Sequence, residues 1–496
     1  ELIFNINAND KVYFDNLALD LPIEFDKSNF INLERLFSKV KGSPYSLNTI
    51  QKILDEIDVI TLTEQYESIK ANVIENLVLD KINLVFKIED TERVTVEKIN
   101  IFGNNITNEN VIRNQLLIDE GDPYNEILSN RSINNIKSLN FFKSVNSEIV
   151  EGSNSEARVI NINVKEKATG EISAGAGFGT SGGTLIFGVK ENNYLGKGIA
   201  VNSNFTLNAE SLKGILSVRN PNYNNSDKSA FASIEALETD RLTKSGYKMN
   251  KTGLNLGTRF EYYDDFYLGF STSTFFEKIE TNSTASVRQK AQEGNYFDSF
   301  LGLTMDLDKR NQKFQTDKGY RSFYDLRLPI LSDTNTLTNL YSYKYFTDLY
   351  ENNISTVSFY FKSVNSISDD DVKLSERAFI PGNRLRGFET GKVGPKDGDD
   401  YVGGNYVSTL NFSSTLPFLF ENNQNTDFIM FLDVANIWGV DYNSLIDDNQ
   451  KIRSAIGIGV DWFTPVGPLN LSLSEVLSKD DADTTEGFRF NLGTTF

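Results

Sequence analysis

After Lys167 the chain alternates apolar and polar residues with a period of two, in segments of about ten residues, the length of a tilted strand crossing a bilayer. In the last segment Phe488, Phe490, Leu492, Thr494 and Phe496 share one face, and Arg489, Asn491, Gly493 and Thr495 share the other. Ile456, Ile458, Val460 and Trp462 alternate in the same way with Ala455, Gly457, Gly459 and Asp461, as Leu469, Leu471 and Leu473 do with Asn470, Ser472 and Ser474. One face suits lipid and the other a wet lumen. Turns rich in Asn, Asp, Gly and Ser separate the segments. Counting from Gly170 gives roughly sixteen, an even number as expected for a closed antiparallel barrel. The least regular stretches are 183–191 and 338–364, and the longest interruption, about residues 365–402, follows the eleventh segment. The pattern predicts an all-β transmembrane barrel over residues 168–496. A soluble β-sandwich or propeller also uses short alternating strands. Strand lengths that match a tilted span, and an aromatic strand at the end of the sequence, favour the barrel.

The first third repeats itself. Gly42-Ser43-Pro44-Tyr45 returns as Gly121-Asp122-Pro123-Tyr124, each between two amphipathic helical patterns. Strand-type segments at 11–22 and 93–104 open the two copies. Ile31, Leu33, Leu36 and Phe37 mark a first helix in one copy, and Val111, Ile112, Gln115 and Leu116 in the other. A second helix carries Ile50, Ile53, Leu54 and Ile57, or Leu128, Ile133, Ile136 and Leu139. Extended segments near 82–90 and 157–167 close the copies. Two βααββ modules are predicted, over residues 1–91 and 92–167.

Composition removes several functions. A net charge of −19 offers no basic field for nucleic acid. Cys and His are both absent, which excludes a disulfide framework, a thiol nucleophile and the commonest general base and metal ligand. No run of apolar residues reaches the roughly twenty of a spanning helix. Glu1 leads directly into ELIFNINAND, a strand-like opening without the apolar core of a secretion signal. Gly177 to Gly182 fits GxGxxG, but a strand, TLIFGVK, follows where a phosphate-binding helix is required. The acidic groups Asp369–Asp371, Asp397 with Asp399 and Asp400, and Asp480, Asp481 and Asp483 lack EF-hand spacing and read as solvated loops. No enzyme activity, cofactor or metal is expected.

An ordered set of motifs remains: TGEISAGAGFGT at 169–180, NNYLGKG at 192–198, Leu385-Arg386-Gly387-Phe388, Gly403-Gly404-Asn405, FLDVA at 431–435, and GIGVDWFTPVGP at 457–468. In this order they resemble the BamA family of outer-membrane protein assembly factors, in the superfamily that joins POTRA modules to a sixteen-stranded barrel. The resemblance covers the whole chain. It implies that the loop near 365–402 folds into the lumen and that Arg386, with Gly387 and Phe388, meets an acidic wall residue. Strand parity independently turns Asp433 inward, opposite Phe428, Met430, Leu432 and Val434. Asn411 stands where the family often has a second acid, which puts that further contact in question. Glycines weaken strands. A first strand with Gly175, Gly177 and Gly179 is therefore expected to close poorly on a last strand with Gly493. The expected lateral seam comprises Ile172, Ala174, Gly175, Ala176, Gly177 and Phe178 on one lip and Phe488, Phe490, Leu492, Gly493 and Phe496 on the other. The resemblance implies insertion of nascent β-barrels through that seam, with the modules in the periplasm. Implied partners are unfolded outer-membrane clients, periplasmic chaperones, accessory assembly lipoproteins and the lipid bilayer. Two-partner secretion, translocation-and-assembly and, more remotely, passive porin functions are the alternatives.

Overall fold

The structure is a computed structural model that describes residues 12–23, 25–63, 69–79, 81–90, 94–313, 316–349, 353–368, 370–416, 426–448, 450–464 and 467–493. The strand-like start at 1–10, Asp369, and the terminal Thr494, Thr495 and Phe496 lie outside these residues. The chain divides into two compact units, the second beginning at Gly170.

The first unit contains two small mixed sheets. One combines β1 (Tyr13–Asp20), α1 (Ile31–Val40), α2 (Leu47–Thr63), β2 (Ile69–Val78) and β3 (Lys81–Asp90), with strand order β1-β3-β2 and β1 parallel to β3. The other repeats this plan with β4 (Thr95–Phe102), α3 (Glu109–Arg113), α4 (Glu126–Ser138), β5 (Phe142–Glu151) and β6 (Ala157–Glu166), in the order β4-β6-β5. Each helix pair places its apolar stripe on its sheet. Leu33, Phe37, Ile53 and Ile57 meet Leu84 and Phe86 in one core, and Ile112, Ile133 and Ile136 meet Ile160 and Ile162 in the other. Gln115 and Leu116 fall past the end of the short α3.

The repeated tetrapeptides do the same work in both copies. Gly42 and Gly121 have φ of +82° and +100°, a left-handed turn that glycine adopts without Cβ strain. The turn then lies along the opening strand, with Gly42 N–H donating to Phe14 O and Gly121 N–H to Val96 O, both at 2.7 Å. Tyr45 and Tyr124 return the pairing by donating N–H to Val12 O and Val94 O at 2.8 Å.

The second unit is a closed barrel of sixteen antiparallel strands. In chain order these begin with β7 (Gly170–Gly179), β8 (Gly182–Tyr194), β9 (Ile199–Asn208), β10 (Ser211–Asn220), β11 (Ser229–Arg241) and β12 (Tyr247–Tyr263). There follow β13 (Phe266–Thr281), β14 (Gly294–Asp308), β15 (Gly319–Ser332), β16 (Thr336–Thr347) and β17 (Ser355–Ser366). Three two-residue strands, β18 (Gly387–Phe388), β19 (Lys396–Asp397) and β20 (Asp400–Tyr401), lie in the long loop after β17. The wall resumes with β21 (Tyr406–Thr415), β22 (Thr426–Trp438), β23 (Arg453–Thr464) and β24 (Gly467–Ser478), and after β25 (Thr485–Glu486) it closes with β26 (Phe488–Gly493). The GxGxxG stretch is the β7–β8 hairpin, not a strand-to-helix turn. No helix among the described residues is long and apolar enough to cross a membrane; the strands carry an exposed apolar face, with Phe187, Phe205, Leu254 and Ile458 directed outward.

Because the strand number is even and all are antiparallel, β7 begins and β26 ends at one rim. The turns 242–246, 282–293, 367–405, 439–452 and 479–487 gather at the opposite rim. There Tyr247, Met249, Ile279, Leu374, Val402, Val440 and Tyr442 pack into one apolar cluster, and the Tyr401 hydroxyl donates to Ala482 O at 2.6 Å, so these loops form a joined cap.

Candidate functional site

The loop between β17 and β21 folds back into the barrel because its apolar residues find an apolar patch of wall. Ile380, Leu385, Phe388 and Val393 are buried against Val407, Ala435, Ile437 and Ala455. The expected wet lumen is therefore dry on this side, where small wall residues leave room for Phe388, itself 1% exposed. Gly387 has φ of +88°, and a Cβ there would stand 3.0 Å from the Ala455 Cβ. Glycine is thus required both by the backbone and by the close approach.

This packing sets Arg386 against Asp433, which is fully buried. The guanidinium makes a bidentate contact, Nε to Oδ2 at 2.7 Å and Nη2 to Oδ1 at 2.8 Å, and the Arg386 N–H also donates to Oδ2 at 3.0 Å. Its face lies 3.4 Å from the centroid of the Phe431 ring. Asn411 supplies the fourth donor. Its Nδ2 reaches Asp433 Oδ1 at 2.9 Å and Arg384 O at 2.7 Å, so Asn411, whose further contact was in question, serves the carboxylate and the loop backbone.

Other anchors were not apparent from sequence. Arg384 points away from Arg386, donating to Ser358 Oγ at 3.0 Å and stacking on Tyr360. Lys373 is buried with Glu277 at 2.7 Å, with Asp298, and with Glu376 at 3.7 Å. Burial works against its charge, yet Glu376, Glu277 and Asp298 hold the Lys373 ammonium above its ordinary pKa. Arg377 pairs with Asp441, where burial opposes ionisation but the guanidinium and the Asn405 amide keep the carboxyl below its usual range. Asp483, read from sequence as a solvated acid, is buried, accepts from Arg453 Nε at 2.9 Å and from Gly394 N–H at 2.9 Å. Parity could have turned Arg489 and Arg453 inward. Nothing local to Lys373 announces partners 75 and 96 residues away.

At the junction of β26 with β7 the described residues form three register pairs, Asn491–Gly179, Leu492–Phe178 and Gly493–Gly177. Thr180 N–H adds a bond to Phe490 O at 3.1 Å, and the Phe178 and Phe490 rings meet outside at 6.0 Å. A Cβ on Gly179 would lie 2.6 Å from Phe490 O, and one on Gly493, at φ +100°, would lie 2.9 Å from the Gly177 Cα. Of the expected lip residues, the junction thus brings together Gly177, Phe178, Phe490, Leu492 and Gly493. Ile172, Ala174, Gly175 and Ala176 lie on β7 and pair with β8, Phe488 pairs with Leu473 of β24, and Phe496 is outside the described residues. Inside the barrel a cavity of about 650 Å³ separates Gly382, Asn383 and Thr390 of the loop from Gly182 and Thr184 beside the junction.

Residues 193–496 match the Omp85 superfamily domain. The chain belongs to the Omp85 superfamily. It is an outer-membrane β-barrel with N-terminal POTRA domains, and residues 94–167 match the POTRA repeat, described as the surface antigen variable number repeat. Among Omp85-related proteins it is 25% identical to the outer membrane protein assembly factor BamA of Neorickettsia risticii, over 84% of this chain. It spans 57% of that relative's length. The crystal structure of BamA from Haemophilus ducreyi lacking POTRA domains 1–3 shares the fold with a TM-score of 0.74 and 20% identity, covering 98% of this chain and 100% of that one. CdiB from Acinetobacter baumannii shares it with a TM-score of 0.54 and 14% identity, covering 99% and 91%.

Proposed function

We propose that this Omp85 protein folds and inserts nascent β-barrel proteins into the outer membrane through the junction of β7 and β26. The observation that carries this reading is that junction, whose described register pairs include two that end on glycine, beside a loop fixed by ion pairs to the opposite wall. Backbone N–H and C=O groups exposed to hydrocarbon cost several kcal/mol each, on the order that strand pairing recovers. An incoming strand that pairs with an opened edge avoids that cost, so client folding supplies the driving force without cofactor or nucleotide. In this reading the two modules face the periplasm. Their edge strands β2 and β5 offer main-chain groups for extended clients, chaperones or accessory lipoproteins by strand addition.

The test uses the absence of native cysteine. Directly opposed residues of an antiparallel pair have Cα atoms about 4.5–5.5 Å apart, within disulfide reach. Phe178→Cys with Leu492→Cys should therefore crosslink under oxidation and stop client insertion in reconstituted vesicles, with recovery on reduction. Undiminished insertion by the oxidised protein sinks the proposal. The fold shared with CdiB supports two-partner secretion as a second reading, in which a soluble client passes through the lumen and export survives the crosslink.

A further inference from the structure

We infer that Arg489 is a positioning residue that ties the last strand to the inward loop, so that β26 is the fixed lip of the junction and β7 the moving one. The inference rests on the seam reading above and adds the asymmetry. Arg489 projects inward from β26 and is 8% exposed. Its Nη1 donates to Gly382 O at 2.6 Å, its Nη2 to Phe388 O, and its Nε to Glu486 Oε2 at 3.1 Å. One rigid fork thus grips the loop on both sides of Arg386 while Glu486 holds the fork in place. Planar geometry makes this a contact that a lysine reproduces only in part.

The backbone strengthens the same link. β18 pairs with β25 through Gly387–Glu486 and Phe388–Thr485, and β25 leads within two residues into β26. The segment that carries Arg386 is therefore fastened to Asp433 on β22 and to the approach of the last strand. β7 has no such tie. Among the described residues no hydrogen bond joins it to the loop, and the cavity of about 650 Å³ lies between the loop and the β7–β8 turn. Opening by displacement of β26 would break the Arg489 fork and the β18–β25 pairing together with the junction. Opening by displacement of β7 breaks the junction alone.

Peptide-resolved hydrogen exchange on the full chain in lipid vesicles tests this. Arg489→Gln should speed exchange in β26 by roughly tenfold, the scale of one lost charged hydrogen bond, and leave β7 within about twofold of the parent. Arg489→Lys should fall between and, being the milder change, serves if the glutamine variant fails to fold. In an Arg386→Ala background, where the same loop segment has already lost its anchor on β22, Arg489→Gln should add less than it does in the parent. Equal acceleration of both strands, no acceleration of β26, or full additivity with Arg386→Ala overturns the inference. A junction disulfide that blocks insertion while Arg489 variants keep β26 protected refutes the coupling and leaves the seam reading standing.

Discussion

At the scale of single residues, the fate of a buried charge decides the strongest effects. Asp433 accepts from four donors, two of them on the Arg386 guanidinium. Arg386→Ala leaves a buried carboxylate with a backbone N–H and an amide, and loss of one partner from such a pair costs about 3–5 kcal/mol. The urea midpoint of the barrel should fall accordingly, together with insertion activity. Exchange of the two charges, Arg386→Asp with Asp433→Arg, should restore only part of this, because Asn411 Nδ2 and the residue 386 N–H would then face a cation. If the single and exchanged variants keep the parent midpoint, the pair is idle. A second carboxylate reports on pH. Glu166 accepts N–H bonds from Ile106 at 3.0 Å and Thr107 at 2.6 Å; burial opposes its ionisation, but these bonds hold its pKa below the ordinary 4.5. A depressed pKa means that the stabilisation is complete above the unfolded-state value and is lost as pH falls through the folded one. Exchange at the amides of Ile106 and Thr107, taken relative to the intrinsic amide rate at each pH, should therefore rise as acid is added below about pH 4.5. In Glu166→Gln that rise should be absent.

At the scale of elements, glycine acts at the junction by making space as much as by weakening strands. Gly179→Ala should press the new methyl on Phe490 O and push the lips apart, and Gly493→Ala would add strain at φ +100°. Either should slow disulfide formation between cysteines at 178 and 492; acceleration would show that the close approach is not needed for closure. The elements themselves were largely legible. A period of two with lipid on one side must show as alternation, and the long break after the eleventh segment emerged where β17 ends. The repeated Gly-x-Pro-Tyr turn exposed the two modules because one left-handed glycine and one docking turn are needed per copy. Packing inside the lumen was not legible. Alternation says which way Ala435, Val407 and Ala455 point, but not that Phe388 and Leu385 will fill the space they leave. The acidic loops misled for the same reason: Asp483 and Asp397 resemble solvated acids until Arg453 and Tyr442 are brought to them from 30 and 45 residues away.

For the molecule as a whole, the loop works as a strut across part of the barrel. Lys373 fixes it to β13 and β14, Arg384 to β16 and β17, Arg386 to β22, and Arg489 holds it from β26, while the cavity lies on the side of the β7–β8 turn. A barrel braced in this way keeps most of its circumference in register when one edge moves. The anchor farthest along the wall from the junction tests the idea. Lys373→Met leaves the buried Glu277, Asp298 and Glu376 without the ammonium they share, a change on the order of 3–5 kcal/mol. The unfolding midpoint should drop, and exchange should rise in β13 and β14, not only in the loop. Neutralising the cluster by Glu277→Gln, Asp298→Asn and Glu376→Gln in the same chain should return most of the midpoint, since an apolar or neutral cluster of similar volume replaces a buried ion group at little net cost. It should not return the tether, so β13 and β14 should keep their faster exchange. Full recovery of both by the neutralised variant would show that Lys373 serves only to balance charge, and that the strut ends at Arg384.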